Sequence, residues 1–108
     1  MENQAISREI AEVAEKIAKE YQPEKIILFG SWVWGKPDGD SDVDLFIVKK
    51  SNENRLERQR KLRRILFGRN LPAMDLLVYN PEEIEERMKI KDIFLNKIFE
   101  DGKVIYEK

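Results

Sequence analysis

Two aspartates, a glycine and a serine stand at a spacing that suits phosphoryl chemistry. The apolar run Ile26-Ile27-Leu28-Phe29 ends in Gly30-Ser31. Ten residues separate Ser31 from Asp42-Val43-Asp44, and a second apolar run, Leu45 to Val48, follows at once. Side chains alternate between the faces of a strand, so Asp42, Asp44, Phe46 and Val48 share one face while Val43, Leu45 and Ile47 share the other. The two carboxylates therefore point the same way at the start of a strand. A third acid, Asp75, lies inside the apolar run Leu71 to Tyr79, between Met74 and Leu76, where burial without a partner would be expensive. If the two strands pair, three carboxylates converge, and their repulsion calls for divalent cations. Carboxylates on neighbouring strands can hold two Mg²⁺ ions about 3.5–4 Å apart, the spacing that serves in-line displacement at phosphorus. Gly30 permits close backbone approach, and the N–H groups after it, with the Ser31 hydroxyl, can donate to phosphate oxygens. A plain strand-to-helix turn with Ser31 as N-cap is the compatible structural alternative.

The 108 residues contain neither cysteine nor histidine. That removes disulfides, thiolate zinc sites and every triad built on imidazole. Catalysis would have to rest on carboxylates, lysine, hydroxyls or metals with oxygen ligands, which select Mg²⁺, Ca²⁺ or Mn²⁺. The net charge of −1 gives no global basic field, so nucleic acid is not expected as a direct partner. Charged residues make up 38% of the chain and no apolar run reaches a membrane-spanning length, so membrane association is not expected. The opening Met-Glu-Asn-Gln is unlike a signal peptide, and a cytoplasmic location is the expectation.

Around these residues the patterning predicts a scaffold. Ile6, Ile10, Val13 and Ile17 recur at helical spacing over residues 5–20, with Tyr21 packing at the end and Pro23 as the stop. Strands are expected over 25–30, 42–48 and 71–79. Between the last two, residues 54–67 predict a helix with Leu56, Leu62, Ile65 and Leu66 inward, Gly68 as its close, and a basic outer side that includes Arg55, Arg58, Arg60 and Arg63. That basic side reads as a solvated face or as a docking surface for an acidic partner or RNA. Asn80-Pro81 reads as an N-cap followed by proline at the first helical position. A further helix over about 91–100 carries Ile93, Phe94, Ile98 and Phe99, and Val104 to Tyr106 predicts a short edge strand. The whole chain, 1–108, reads as one domain: an α/β fold with a central mixed or antiparallel sheet, helices flanking it mainly on one side.

Gly30-Ser31, ten residues, then Asp42-Val43-Asp44 resembles the Gly-Ser-x10-Asp-x-Asp pattern of the polymerase-beta-like nucleotidyltransferases. Length and flanking sequence are similar to the minimal nucleotidyltransferase (MNT) proteins. The resemblance implies a polymerase-beta-like palm in which Gly30 and Ser31, with Lys36 and Ser41 of the intervening loop, hold a nucleoside triphosphate. It implies that Asp42, Asp44 and Asp75 are catalytic and bind two Mg²⁺ ions, Asp75 also helping to activate the acceptor hydroxyl. It implies AMP transfer from ATP with release of pyrophosphate.

Similar MNT proteins act with a HEPN-domain toxin, so the resemblance further implies a hetero-oligomeric antitoxin that attaches AMP to a tyrosine of that ribonuclease. Two alternatives stay open: an antitoxin that neutralises by binding alone, and, ranked last, a transferase acting on a small molecule. The chain departs from the pattern at Trp32, Val33 and Trp34, where many relatives carry small or basic residues. Lys36 is then the nearest cation. The tryptophans either pack beneath the loop or stack a base or a partner side chain.

Overall fold

In the computed structural model, which describes residues 4–35, 42–68 and 73–108, four strands and five helices alternate along the chain. They are α1 (Gln4–Glu20), β1 (Lys25–Phe29), α2 (Ser31–Trp34), β2 (Val43–Val48), α3 (Arg55–Leu66), β3 (Met74–Tyr79), α4 (Pro81–Lys89), α5 (Ile93–Asp101) and β4 (Lys103–Glu107). The expected loop 36–41, with Lys36 and Ser41, lies outside the described residues, as do Leu71 and the side chain of Ile6.

The sheet is mixed, with strand order β3-β2-β1-β4. β1 runs antiparallel to β2 and to β4, whereas β2 and β3 are parallel. A parallel pair needs a crossover, and α3 supplies it. β2, the strand that starts at Val43, is thereby paired on both edges and buried along almost its whole length.

Both faces of the sheet are covered, which corrects the expectation of helices mainly on one side. Val43, Leu45 and Ile47, together with Leu76 and Val78, pack on Ile10, Val13, Ala14 and Ile17 of α1 and on Leu62 and Leu66 of α3. The opposite face, Ile27, Phe29, Phe46, Val48 and Tyr79, packs on Leu95 and Ile98 of α5. Phe46 is stacked on Tyr79 at 5.1 Å between centroids and meets Phe99 edge-on at 5.5 Å. Two helical expectations shift with this. Leu56 of α3 is exposed rather than inward. In α5 the inward positions are Leu95, Ile98 and Phe99, while Ile93 and Phe94 face out.

Arg58 belongs to the interior and not to the basic outer side, being only 3% exposed. Its guanidinium donates to Glu53 O (2.8 Å), to Val78 O (3.1 Å) and to the Glu83 carboxylate (2.7 Å). Glu83 in turn closes the capping box of α4, accepting from the Asn80 N–H while Asn80 accepts from the Glu83 N–H. Gln59 donates to Leu76 O at 2.7 Å. Side chains of α3 thus satisfy two carbonyls of the edge strand β3, which fixes that strand against its crossover helix.

Candidate active site

Strand directions decide which acids meet. β1 is antiparallel to β2, so the end of β1 lies beside the start of β2, and Phe29 pairs with Asp44. β3 is parallel to β2, so the two strands start together and Asp75 pairs with Asp44. Residues paired in register point to the same face. Phe29, Asp44 and Asp75 therefore form one row across three strands, at the end of the sheet where Gly30 turns the chain.

Gly30 is required there for two reasons. Its φ of +84° and ψ of −153° lie in a region open essentially to glycine alone. A Cβ on residue 30 would also fall on Oδ2 of Asp44. The turn continues into α2, whose cap is Gly30 and not Ser31: the N–H groups of Val33 and Trp34 donate to Gly30 O at 2.9 and 2.7 Å. Ser31 is the first residue of that turn, so it lies inside the helix rather than at its cap.

Burial, then the negative charges of Asp75 and Asp42, hold the Asp44 carboxyl above its ordinary value. Asp42 and Asp75 act on Asp44 as like charges, so among the described residues the three form an acidic cluster. Asp75 itself is exposed, correcting the expectation of a buried acid; only its neighbours in the strand enter the core. Asp42 is exposed as well. Among the described residues no three acidic, histidine or cysteine side chains form a ready-made metal cage. The structure brings Asp44 and Asp75 together directly and sets Asp42 within electrostatic reach. The donor set of carboxylate oxygens fits a hard divalent cation.

Both tryptophans of the turn pack. Trp32 lies against the α1/α3 side of the sheet and Trp34 against the α5 side, 5.9 Å from Phe29 between ring centroids. Among the described residues neither Nε1 has a hydrogen-bond partner, though both are buried. Lys97 Nζ lies 4.6 Å from the centroid of Trp34, a cation that α5 brings beside the turn. Sequence patterning missed Lys97, because nothing local ties it to residues more than sixty positions earlier. Tyr79 is buried, with Phe46 stacked on its ring and the Arg55 guanidinium over it.

The family model for polymerase beta nucleotidyltransferases matches residues 12–108. No curated protein matches the chain. Among solved structures, a provisionally assigned nucleotidyltransferase from Sulfolobus solfataricus, known at 1.40 Å resolution, superposes with a TM-score of 0.65. The two share 20% identity over 94% of this chain and 79% of that one, a likeness that speaks for the fold alone.

Proposed function

The chain belongs to the polymerase beta nucleotidyltransferase family, and from that premise we propose that it transfers AMP from ATP to a tyrosine hydroxyl of a HEPN-domain toxin, acting as the antitoxin of the pair. The observation that carries the catalytic part is the row of Asp44 and Asp75, side by side on parallel strands, with the Asp44 carboxylate seated against Gly30 where a side chain on residue 30 would lie. The identity of the donor, the acceptor and the partner rests on the resemblance of Gly30-Ser31 and Asp42-Val43-Asp44 to the MNT group.

Asp44 and Asp75, with Asp42, would hold the divalent cations. Bound Mg²⁺ would supply charge neutralisation for the triphosphate and lower the pKa of the attacking hydroxyl. The chain's own residues do the rest. The backbone at Gly30 and the Ser31 hydroxyl orient the triphosphate, and the glycine lets the Asp44 carboxylate lie directly against the turn that does so. The acceptor oxygen forms its bond to the α-phosphorus as the bond to the bridging oxygen breaks, and pyrophosphate leaves. Exposed Asp75 is open to an incoming acceptor and takes the hydroxyl proton; Asp44, shielded by the turn, fixes the reacting end of the nucleotide. Incubation of the partner with the chain, ATP and Mg²⁺ should raise the partner's intact mass by one AMP, and Asp44→Asn should abolish the gain. Transfer that persists in that variant would remove the assignment.

A second reading has one observation in its favour. The turn after Gly30-Ser31 carries packed tryptophans where a phosphate-gripping cation would serve transfer. Neutralisation by binding alone would then survive Asp42→Asn and Asp44→Asn.

A further inference from the structure

The junction of α4 and α5, Lys89-Ile90-Lys91-Asp92-Ile93-Phe94, sets apolar residues among charged ones and leaves the apolar ones outward. Burial in α5 falls to Leu95 and Ile98, so Ile93 is left 84% exposed, Phe94 46% and Ile90 69%. Scattered exposed apolar residues are ordinary, but three within five positions form a patch. The patch adjoins the acidic row. The Phe94 ring meets Phe29 edge-on at 5.7 Å, and Phe29 is the register partner of Asp44.

The junction is also firmly held. Lys91 takes a left-handed φ of +57°, its N–H donating to Met88 O, and the Asp92 N–H donates to Arg87 O, both at 3.0 Å. The Asp92 carboxylate accepts from the Leu95 N–H at 3.0 Å and lies 3.7 Å from Arg87. A patch on so fixed a turn loses little conformational freedom when covered.

We infer that Ile90, Ile93 and Phe94 are the docking surface for the protein acceptor, and that the segment they receive is apolar and flanked by carboxylates. This rests on the reading that the acceptor is a protein. Lys91 is exposed beside the patch, and Lys89, 3.7 Å from Glu85, and Lys97, over the Trp34 ring, are exposed around it as well, so that acids on the partner would meet a basic rim. RNA does not fit: the patch has one ring, Phe94, already packed edge-on against Phe29, and the net charge of −1 provides no phosphate-tracking field. An anionic lipid surface would meet the exposed carboxylates of Asp42 and Asp75 at the neighbouring end of the sheet. A patch of three anchors is the scale of a transient enzyme–substrate encounter rather than of an obligate interface.

The test places a photo-crosslinking amino acid at Ile93 in the full chain, and in a control chain at exposed Leu56 of α3. Proteins captured at 93 and not at 56 are identified, purified and titrated against the unmodified chain, Ile93→Glu and Lys91→Glu. Ile93 makes no core contribution, so its replacement leaves folding intact. The surface is supported when the captured protein binds Ile93→Glu about tenfold more weakly or worse, with a slower, salt-sensitive association for Lys91→Glu. It is overturned when position 93 captures nothing, or captures nucleic acid, lipid or a second copy, or when the captured protein binds Ile93→Glu as well as the unmodified chain. Loss of binding in Ile93→Glu, in a protein that never gains AMP, supports the surface and removes the transfer reading. Transfer of AMP to a protein indifferent to Ile93→Glu overturns the surface and leaves transfer standing.

Discussion

Gly30 and Asp44 face each other so closely that the absent side chain of one is the space occupied by the carboxylate of the other. The contact joins the turn that would cradle phosphate to the acid that would hold the metal. It is a consequence of antiparallel pairing, which sets the end of β1 beside the start of β2.

Gly30→Ala tests that contact. The backbone at φ +84° and ψ −153° alone costs an alanine about 1–3 kcal/mol, and the collision with Oδ2 adds to it. Truncating Asp44 to alanine removes the collision and leaves the backbone strain. Urea denaturation of the two single variants and the double variant should therefore show the double loss falling short of the sum. Strict additivity would mean that the carboxylate does not feel residue 30.

Asp75→Asn separates what the acidic row costs from what it does. Asp44 is held above its ordinary value by burial and then by its two acidic neighbours, so removing the charge of Asp75 relieves repulsion. In the absence of metal, Asp75→Asn should melt about 1–3 °C higher at low salt, a gain that shrinks as salt rises. The same variant should lose most of the thermal stabilisation that Mg²⁺ or Mn²⁺ gives the unmodified chain, worth about 2.7 kcal/mol at a hundredfold excess over Kd. Transfer should fall at least about 100-fold. A calorimetric scan with and without metal checks the first two, and an unchanged metal response would exclude Asp75 from the metal site.

The pair of Arg58 and Glu83 predicts how stability depends on acid. Burial alone would raise the Glu83 carboxyl, but the hydrogen bond from Arg58, the Asn80 N–H and the charges of Arg58 and Arg55 outweigh it and leave the group below its ordinary 4.5. A carboxyl lowered by folding contributes fully above its unfolded value and loses that contribution as pH falls through the folded one. The stabilisation should therefore be complete above about pH 4.5 and fade below it. Arg58→Ala leaves the Val78 and Glu53 carbonyls without their donor and should cost about 3 kcal/mol at pH 7. Its stability should also fall less steeply as pH drops below about 4.5 than that of the unmodified chain. Equal slopes in the two proteins would assign the acid sensitivity elsewhere.

Much of this was legible in the order of residue types. Alternation along the strand set Val43, Leu45 and Ile47 on the face opposite Phe46 and Val48, and Asn80-Pro81 marked the start of α4 through its cap. What local patterning could not carry was pairing. Asp75 reads as buried because its neighbours are apolar, yet it stands at the start of an edge strand where its side chain reaches solvent. Arg58 reads as surface because it lies among five other basic residues of α3, yet two carbonyls and a carboxylate from elements on either side of it in the sequence draw it inward. Both reversals come from partners distant in sequence, as does the meeting of Lys97 with Trp34.

That meeting yields the last prediction. Trp34 is wedged beside Phe29 with Lys97 over its ring, and its Nε1 has no partner among the described residues. The ring therefore acts as a packing element beneath the turn, with its face taken by a cation rather than left for a base. Trp34→Phe keeps an aromatic wedge and forfeits a hydrogen bond that the indole does not make, so ATP affinity should stay within about threefold. A base-stacking role would lose about tenfold or more, at roughly 1–3 kcal/mol per stacked base. Trp34→Ala should cost about 2–4 kcal/mol of stability through the void it leaves. Lys97→Met should cost about 0.5–1 kcal/mol when Trp34 is present and close to nothing in Trp34→Ala, which a double-mutant cycle resolves. Both tryptophans of the chain stand in this one turn, so intrinsic fluorescence reads the titration directly. ATP with Mg²⁺ should shift the emission of the unmodified chain, and Trp34→Phe should keep the same midpoint with a smaller amplitude. A midpoint displaced tenfold would make Trp34 part of the nucleotide site and return the base-stacking alternative.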